Sequence, residues 1–276
     1  MSLQSPFTLW REGLRWGCQS FRHSPSTRLH GARLLACPVD LWRYREFRAV
    51  LAAYENQQRV LDVGSPKLLA RLLATRNDVR VTAVDIAPSP EMVAVRVPGA
   101  QRAFPCLADG RSLPFPGECF DFVYSVSAIE HVGGEEGDTE FMEELARIMT
   151  PGATAVITTP LVPTYREIWF DHDPYGRQTR DVSGAAFFSR FYDWPSLQRR
   201  VIRPCGLRLM AVSVWQERKP GWYAAYCART SSPRSLTSLM TKTLDPYWAH
   251  RKVVPVEKGP ETLTNHGLAA LVFRKG

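Results

Sequence analysis

The sequence predicts an α/β fold in which helices cover both faces of a doubly wound, mostly parallel β-sheet. From residue 60 onward, short apolar runs alternate with stretches of helical periodicity, a rhythm typical of parallel sheets. Several of the runs are continuously apolar, as expected for strands that are buried on both faces. The chain has 276 residues, of which 45% are hydrophobic, so either one domain with additions or two small domains could bury a sizeable core.

Residues 1–59, before the first strand, are predicted to form a helical N-terminal cap. Apolar residues recur at three- and four-residue steps in the stretches 7–21 and 41–54, which indicates two helices. The first stretch combines tryptophans with arginines, so it fits either a cap packed on the domain or a peripheral helix at a membrane surface. No transmembrane run or secretory signal is recognisable. Six scattered cysteines without a C-x-x-C pair favour reduced thiols and a cytoplasmic location.

Residues 60–276 are predicted to form one domain of alternating strands and helices. Strands are expected at 60–63, 79–86, 104–107, 120–127, 153–159, 207–215 and 268–273, and helices at 67–75, 138–149 and 194–202. Pro151 and Gly152 are expected to end the second helix. The aromatic-rich segment 161–206 and the irregular segment 217–265 interrupt the alternation, and we expect them to form a lid and an insertion on the ligand-binding side. A helical piece is expected near 236–242 or 246–252 of the insertion.

The net charge of +8 is unevenly distributed along the chain. Residues 1–59 carry +5, residues 60–160 carry −6 and residues 161–276 carry +9. Basic flanks of this kind fit an anionic small molecule, a membrane surface or a nucleic acid as the partner. Solvated surface charge explains the pattern equally well, so the charge alone does not select a function.

The most informative segment is Val60-Leu-Asp-Val-Gly-Ser-Pro-Lys67. A buried strand passes through a glycine turn into a helix, with Ser65 as the expected N-cap and Pro66 as the first helical residue. The positive end of that helix would lie at the carboxyl edge of the sheet, where a carboxylate or phosphate binds. Lys67 is expected either to add a positive charge there or to be a solvated helix residue.

Acidic residues end the next two strands. Asp85 follows Asp62 by 23 residues and closes the second strand, where it is placed to accept both hydroxyls of a ribose. Asp109 ends the third strand before Gly110 and can accept a hydrogen bond from an exocyclic amine such as that of adenine. Each acid also has a plainer explanation, because aspartate often caps loops and precedes glycine in turns. The order of these features along three strands favours a nucleoside site.

At these residues the sequence resembles the class I S-adenosylmethionine-dependent methyltransferases, particularly the small-molecule branch similar to the ubiquinone/menaquinone methyltransferases. The resemblance runs over about residues 60–161, with weaker similarity to residue 206. It rests on the segments 60–64, 84–86, 108–115, 120–131 and 143–152. It implies a Rossmann-like sheet of seven strands with a reversed last strand, and S-adenosylmethionine as the cofactor.

The resemblance also implies which residues bind that cofactor. The expected set comprises Asp62, Gly64 and Ser65 near the methionine part, Asp85 at the ribose, Asp109 and Gly110 at the adenine, Ser127 beneath the sulfonium, and Ile86. The chain departs from the family in its first turn, where Ser65, Pro66 and Lys67 replace the later glycines. Proline removes a backbone N–H that would have held the carboxylate.

The methyl acceptor is expected to bind beyond the fourth and fifth strands. Methyl transfer depends on positioning and on exclusion of water, and a hydroxyl acceptor also benefits from a general base. His131 and His172 are the two candidates because histidine titrates near neutral pH. For His131, a role in capping the loop after the fourth strand is an equally good explanation.

An aromatic and basic cluster is expected to complete the acceptor site. Its members are Tyr165, Trp169 and Tyr175 as apolar walls, and Arg177 or Arg180 as partners of a carboxylate or phosphate. Ordinary packing of an aromatic-rich lid explains the same residues. No metal is expected, because adjacent residues such as those at 171–173 rarely converge on one ion.

The predicted function is methyl transfer from S-adenosylmethionine to a small-molecule, sugar- or lipid-linked acceptor, at an oxygen atom. A nicotinamide dehydrogenase would need glycines where Pro66 and Leu69 stand. An RNA methyltransferase fits the basic flanks and stays an alternative, but no Asn/Asp-Pro-Pro-Tyr segment follows the fourth strand, so nucleic acid is not the expected partner. The other alternative is a non-catalytic binding protein on a degenerate methyltransferase fold.

Overall fold

The computed structural model describes residues 6–39, 41–76, 78–95, 102–172, 180, 183–230, 238, 240–241 and 251–276. Three helices precede the first strand: α1 (Pro6–His23), α2 (Pro25–Ala36) and α3 (Leu41–Ala53). The helices expected at 7–21 and 41–54 correspond to α1 and α3. The sequence does not predict α2, because arginine, histidine and glycine interrupt its apolar residues.

The apolar face of α1 packs against the rest of the protein. Leu9 and Trp16 are buried, and the indole N–H of Trp16 donates a hydrogen bond to the carbonyl oxygen of Ala94 at 3.0 Å. These two side chains are therefore covered by protein and do not face a membrane surface. Within the described ranges, no helix combines the length and the apolar character needed to cross a bilayer.

Within the described residues, eight strands form one mostly parallel sheet. The strands of the chain are β1 (Arg59–Val63), β2 (Arg80–Asp85), β3 (Ala103–Leu107), β4 (Phe120–Val126), β5 (Met149–Leu161), β6 (Arg166–Phe170), β7 (Ala186–Phe191), β8 (Arg208–Glu217), β9 (Val253–Pro255) and β10 (Gly267–Arg274). The main sheet has the order β3-β2-β1-β4-β5-β10-β8-β9. Strands from β3 to β5 are parallel to their neighbours, whereas β10 is antiparallel to both β5 and β8. The predicted fold class is confirmed, and β9 adds an eighth strand to the seven expected.

Helices cover both faces of this sheet. Those after β1 are α4 (Leu68–Ala74), α5 (Pro90–Ala94), α6 (Gly137–Ile148), α7 (Trp194–Leu197) and α8 (Trp222–Thr230). Side chains of β1 alternate between two hydrophobic clusters, since Val60 packs in the cluster of Leu69 on α4 and Leu61 packs in that of Leu145 on α6. A π-helical turn, Gln198–Ile202, continues α7, so the helix expected at 194–202 is present.

The start of β5 differs from the expected boundary. The strand begins at Met149, directly after α6, and not at residue 153. Pro151 and Gly152 therefore lie inside β5, although the sequence suggests that they end the helix. The pairing with β4 is irregular between Phe120 and Phe122, and this irregularity lets the ladder accommodate a proline and a glycine with positive φ.

The segments 161–206 and 217–265 contain elements that the sequence does not predict. In the first, β6 and β7 pair as a separate antiparallel hairpin. In the second, α8 and β9 lie where irregular structure is expected. The helical piece expected near 236–242 or 246–252 falls mostly outside the described residues.

Candidate active site

The carboxyl ends of the parallel strands open into a cavity of about 720 Å³. The residues that line it include Gly64, Ser65, Asp85, Ile86, Asp109, Gly110, Ser127 and His131. These are seven of the eight expected cofactor-binding residues and one candidate base. Asp85 and Asp109 thus face the same cavity. Its volume is that of a pocket for a cofactor-sized ligand.

Two glycines of the cavity lining pack closely against neighbouring side chains. Gly64 has a φ of +69°, a conformation that favours glycine, and a Cβ there would lie 2.7 Å from the Cβ of Ala128. A Cβ on Gly110 would overlap the ring of Phe141. Both positions therefore require glycine, and the bare backbone that they leave in the lining is compatible with close approach of a nucleoside.

The Ser65 hydroxyl does not cap α4, contrary to the sequence-based expectation. It accepts a hydrogen bond from the backbone N–H of Val126 at 2.8 Å. The N-cap position belongs to Lys67, and α4 has only seven residues from Leu68 to Ala74. The glycine turn is therefore attached to the end of β4, and the helix begins at Leu68, two residues later than the Pro66 start expected from the sequence.

Lys67 is neither a solvated helix residue nor a cation of the cavity wall. Its side chain is 1% exposed, and its ammonium lies 3.4 Å from the fully buried carboxylate of Asp62. The ammonium also donates a hydrogen bond to the carbonyl oxygen of Val84 at 2.9 Å. Burial raises the pKa of Asp62 to about 6, against the opposing effect of Lys67. Asp62 therefore supports the turn from below and, unlike the other expected cofactor residues, does not line the cavity.

The two strand-end acids differ in how far they are engaged. The carboxylate of Asp85 is 25% exposed and lies 3.9 Å from the Lys67 ammonium. The carboxylate of Asp109 accepts hydrogen bonds from the backbone and the guanidinium of Arg111, the shortest at 2.7 Å. Asp85 thus presents a partly exposed carboxylate to the cavity. A nucleobase amine that binds Asp109 would share the Asp109 carboxylate with Arg111.

A residue of the N-terminal helices reaches the end of β4. The buried carboxylate of Glu46, on α3, accepts hydrogen bonds from the hydroxyls of Ser127 and Thr158 and from the guanidinium of Arg43 at 2.8 Å. Arg43 lines the cavity. The sequence gives no clear signal for this pair, because an arginine and a glutamate three residues apart normally form a weak surface pair.

Glu130 and His131 follow β4 in a short 3₁₀ turn, Ile129–His131. Burial raises the pKa of Glu130 to about 8, and Glu46 nearby adds to the effect, so Glu130 holds its proton at neutral pH. The Nδ1 atom of His131 lies 2.8 Å from the carbonyl oxygen of Phe188. In the neutral ring, Nδ1 therefore carries the proton and Nε2 carries the lone pair.

A comparison with protein families matches the part of the chain that forms most of this cavity. Residues 61–157 match a family model described as a methyltransferase domain. The chain thus contains a methyltransferase domain, and its sheet is that of the class I methyltransferase fold. The matched segment contains the glycine turn, the two strand-end acids and the end of β4. Most of the described residues that line the cavity therefore lie within it.

Three solved structures are similar to this chain in fold. An S-adenosylmethionine-dependent methyltransferase from Mesorhizobium loti has a TM-score of 0.50 and 17% identity, over 85% of this chain and 100% of the other. Phosphoethanolamine N-methyltransferase 2 from Haemonchus contortus has a TM-score of 0.52 and 14% identity, over 94% and 60%. The MccD protein has a TM-score of 0.54 and 12% identity, over 86% and 99%. At such identities the similarity shows the shared fold.

The expected acceptor-side residues lie on the β6–β7 hairpin and its connections. The hydroxyl of Tyr165 and the indole N–H of Trp169 donate hydrogen bonds to Glu167 at 2.7 and 3.2 Å, and burial raises the pKa of Tyr165 to about 12. The Arg180 guanidinium donates to the carbonyl oxygen of Gly184 at 2.6 Å. His172 is exposed and stacks on the ring of Phe170.

None of these four described residues is part of the lining of the methyltransferase's cavity. Tyr175 and Arg177 lie outside the described residues. The hairpin is nevertheless attached to the cavity rim, because the buried guanidinium of Arg190 pairs with Glu167 at 3.2 Å and donates hydrogen bonds to the carbonyl oxygens of Val132 and Gly134. His131 is therefore the candidate base that faces the cavity.

Proposed function

We propose that this methyltransferase transfers a methyl group from S-adenosylmethionine to a hydroxyl of a small-molecule, sugar- or lipid-linked acceptor. The observation that carries the proposal is the position of His131, which lines the cavity with Nδ1 held by the carbonyl of Phe188. A hydroxyl becomes a stronger nucleophile when a base takes its proton. The Nε2 lone pair of His131 supplies such a base.

The residues around the cavity suit the parts of the donor in order. When bound, S-adenosylmethionine supplies an electrophilic methyl group on a sulfonium. Asp85 accepts hydrogen bonds from the ribose hydroxyls. The adenine lies beside the backbone of Gly110, which packs on the ring of Phe141. Gly64 and Ser127 then border the remaining part of the donor, which contains the sulfonium and the methionine chain. The partly open carboxylate of Asp85 supports this orientation.

Each residue near the reacting groups has a distinct proposed task. His131 accepts the proton of the acceptor hydroxyl. Glu130, which is protonated at neutral pH, does not compete for that proton as an ionised base. Ser127 orients the end of β4, because its hydroxyl is held by Glu46. His172 remains a second candidate base, although the structure places it in an exposed stack on Phe170.

The acceptor side is proposed to consist of the segments 161–206 and 217–265, with 1–59 as a cap. The basic charge of the C-terminal segment, +9 over residues 161–276, supports an anionic acceptor. The similarity to the quinone branch and the cytoplasmic location stay predictions. Interaction of α1 with a membrane surface would require Leu9 and Trp16 to leave their buried positions.

The test is an assay of S-adenosylhomocysteine formation with a panel of hydroxyl, carboxyl and amine acceptors and an unmodified RNA. We expect turnover with an anionic hydroxyl compound. His131→Gln is expected to lower kcat by about 100-fold and to leave the KM for the donor within about twofold. His172→Gln tests the second candidate base, and its turnover should stay near normal because His172 is not part of the described cavity lining. Methylation of RNA or amines alone, or equal activity of both variants with a hydroxyl acceptor, would contradict the proposal.

A further inference from the structure

The cavity has few basic side chains to meet a donor carboxylate. Among its described lining residues, the arginines are Arg43 and Arg111. Arg111 is bonded to Asp109, at the end of the cavity proposed for adenine. Lys67 is buried beneath the turn, and Pro66 has no backbone N–H to offer. Arg43, on α3, is the other arginine of the described lining.

The position of Arg43 is fixed by a carboxylate that also reaches β4. Glu46 binds the Arg43 guanidinium through Oε2 and the hydroxyls of Ser127 and Thr158 through Oε1. Arg43 and Ser127 therefore bind the same carboxylate, that of Glu46. It also shares with Pro66 the wall between the main cavity and an adjoining cavity of about 200 Å³. The side chain of Arg43 is 31% exposed, while that of Glu46 is fully buried.

We propose that Arg43 binds the α-carboxylate of the donor's methionine part and that Glu46 is the positioning residue that holds Arg43 in place. The inference rests on the proposed binding of S-adenosylmethionine in this cavity. With the ribose at Asp85 and the adenine at Gly110, the amino-acid end of the donor points to Gly64 and Ser127, beside Arg43. A guanidinium has five N–H donors and can serve two carboxylates at once.

The proposal makes the N-terminal helices part of the donor site. In the family pattern the first turn itself offers backbone donors, and here Pro66 has removed one of them. A cation from α3 replaces the lost donor with a stronger, charge-assisted hydrogen bond. Binding of the donor would then also hold α3 against the ends of β4 and β5, because the same Glu46 carboxylate bonds to Ser127 and Thr158.

The experiment compares two ligands that differ in the amino-acid part. S-adenosylhomocysteine carries the α-carboxylate, whereas 5′-methylthioadenosine lacks the amino-acid group and keeps the adenosine. Calorimetric titration of both is done with the wild type, Arg43→Gln and Glu46→Gln. Arg48→Gln is the matched control, because Arg48 is an exposed arginine on the same helix that lies over the ring of Tyr44.

Arg43→Gln is expected to weaken binding of S-adenosylhomocysteine by about 10- to 100-fold and to change the affinity for 5′-methylthioadenosine by less than about twofold. Glu46→Gln should give the same selective loss, smaller in size, and Arg48→Gln should change neither affinity. Equal loss of both ligands in Arg43→Gln, or loss of neither, would overturn the inference. If the wild type binds neither ligand, the proposed function itself fails. If Arg43→Gln folds poorly, Arg43→Lys is titrated in its place. Lysine keeps the charge, so this variant should show the same selective loss of affinity for S-adenosylhomocysteine, but a smaller one.

Discussion

The ammonium of Lys67 lies 3.4 Å from the carboxylate of Asp62, and both side chains are almost completely shielded from solvent. The same ammonium bonds to the carbonyl oxygen of Val84, at the end of β2. One buried ion pair therefore joins the glycine turn after β1 to the neighbouring strand that ends in Asp85. The turn and the ribose acid are held in one arrangement by Lys67, which the sequence suggests is either a cation at the ligand site or a solvated helix residue.

Replacing Lys67 by methionine should destabilise the protein strongly. Lys67→Met leaves the Asp62 carboxylate buried without its cation, which typically costs about 3–5 kcal/mol. The double variant Asp62→Asn/Lys67→Met removes both charges and should lose clearly less than the single variant. Urea unfolding of the wild type and the variants measures these free energies. A loss below about 1 kcal/mol for Lys67→Met would contradict a structural role for the pair.

Gly64 should tolerate a side chain less well than another glycine with positive φ. Gly152 has a φ of +76° with no atom within 4 Å of an added Cβ, whereas a Cβ at Gly64 would meet Ala128. Gly152→Ala should therefore show only the conformational cost, about 1–2 kcal/mol. Gly64→Ala should lose at least about 1 kcal/mol more and should also bind S-adenosylhomocysteine more weakly. Equal losses in unfolding free energy, with normal binding, would show that the contact at Gly64 has no consequence.

Glu130 should make the folded protein less stable as the pH rises. Burial raises its pKa from 4.5 to about 8, so the folded protein holds a proton that the unfolded chain releases. The stability that this group contributes is fully present below about pH 4.5 and is lost as the pH rises to about 8. Glu130→Gln, which resembles the protonated acid, should flatten the decline of unfolding free energy over this range.

Urea unfolding at several pH values between about 5 and 8 tests the role of Glu130. Glu118→Gln serves as the control, because Glu118 is an exposed glutamate that pairs with Lys275 at 3.5 Å. Its pH dependence should match that of the wild type. A Glu130→Gln variant with the wild-type slope would mean that Glu130 does not hold a proton in the folded state.

The sequence predicts the parts of the molecule that depend on local patterns. Apolar runs, turn residues and family motifs predict the strands β1 and β2 and the reversed last strand. They also predict the cavity acids Asp85 and Asp109. Contacts between distant segments are not predictable in this way. The bond from Ser127 to Glu46 spans 81 residues, and helical periodicity assigns Glu46 only to the polar positions of a helix.

Residues with two plausible environments are the other source of error. Ser65 is a good N-cap by type, but its hydroxyl bonds to Val126 of β4 because the turn lies against that strand. The β6–β7 hairpin is not recognisable in the sequence because charged residues such as Arg166 and Arg190 interrupt its aromatic pattern. Their environment becomes clear only from the fold, in which Arg190 is buried and bonded to Glu167.

The central claim is that the cavity binds S-adenosylmethionine with its ribose at Asp85, and calorimetric titration with S-adenosylhomocysteine tests it most directly. We expect micromolar binding to the wild type and about 10- to 100-fold weaker binding to Asp85→Asn, since a lost hydrogen-bonded charge costs about 1.5–3 kcal/mol. Asp121→Asn is the matched control, because Asp121 accepts a hydrogen bond from the Arg59 backbone at 2.8 Å, at the start of β1 and away from the cavity. No heat with the wild type, or equal affinity of both variants, would contradict the account.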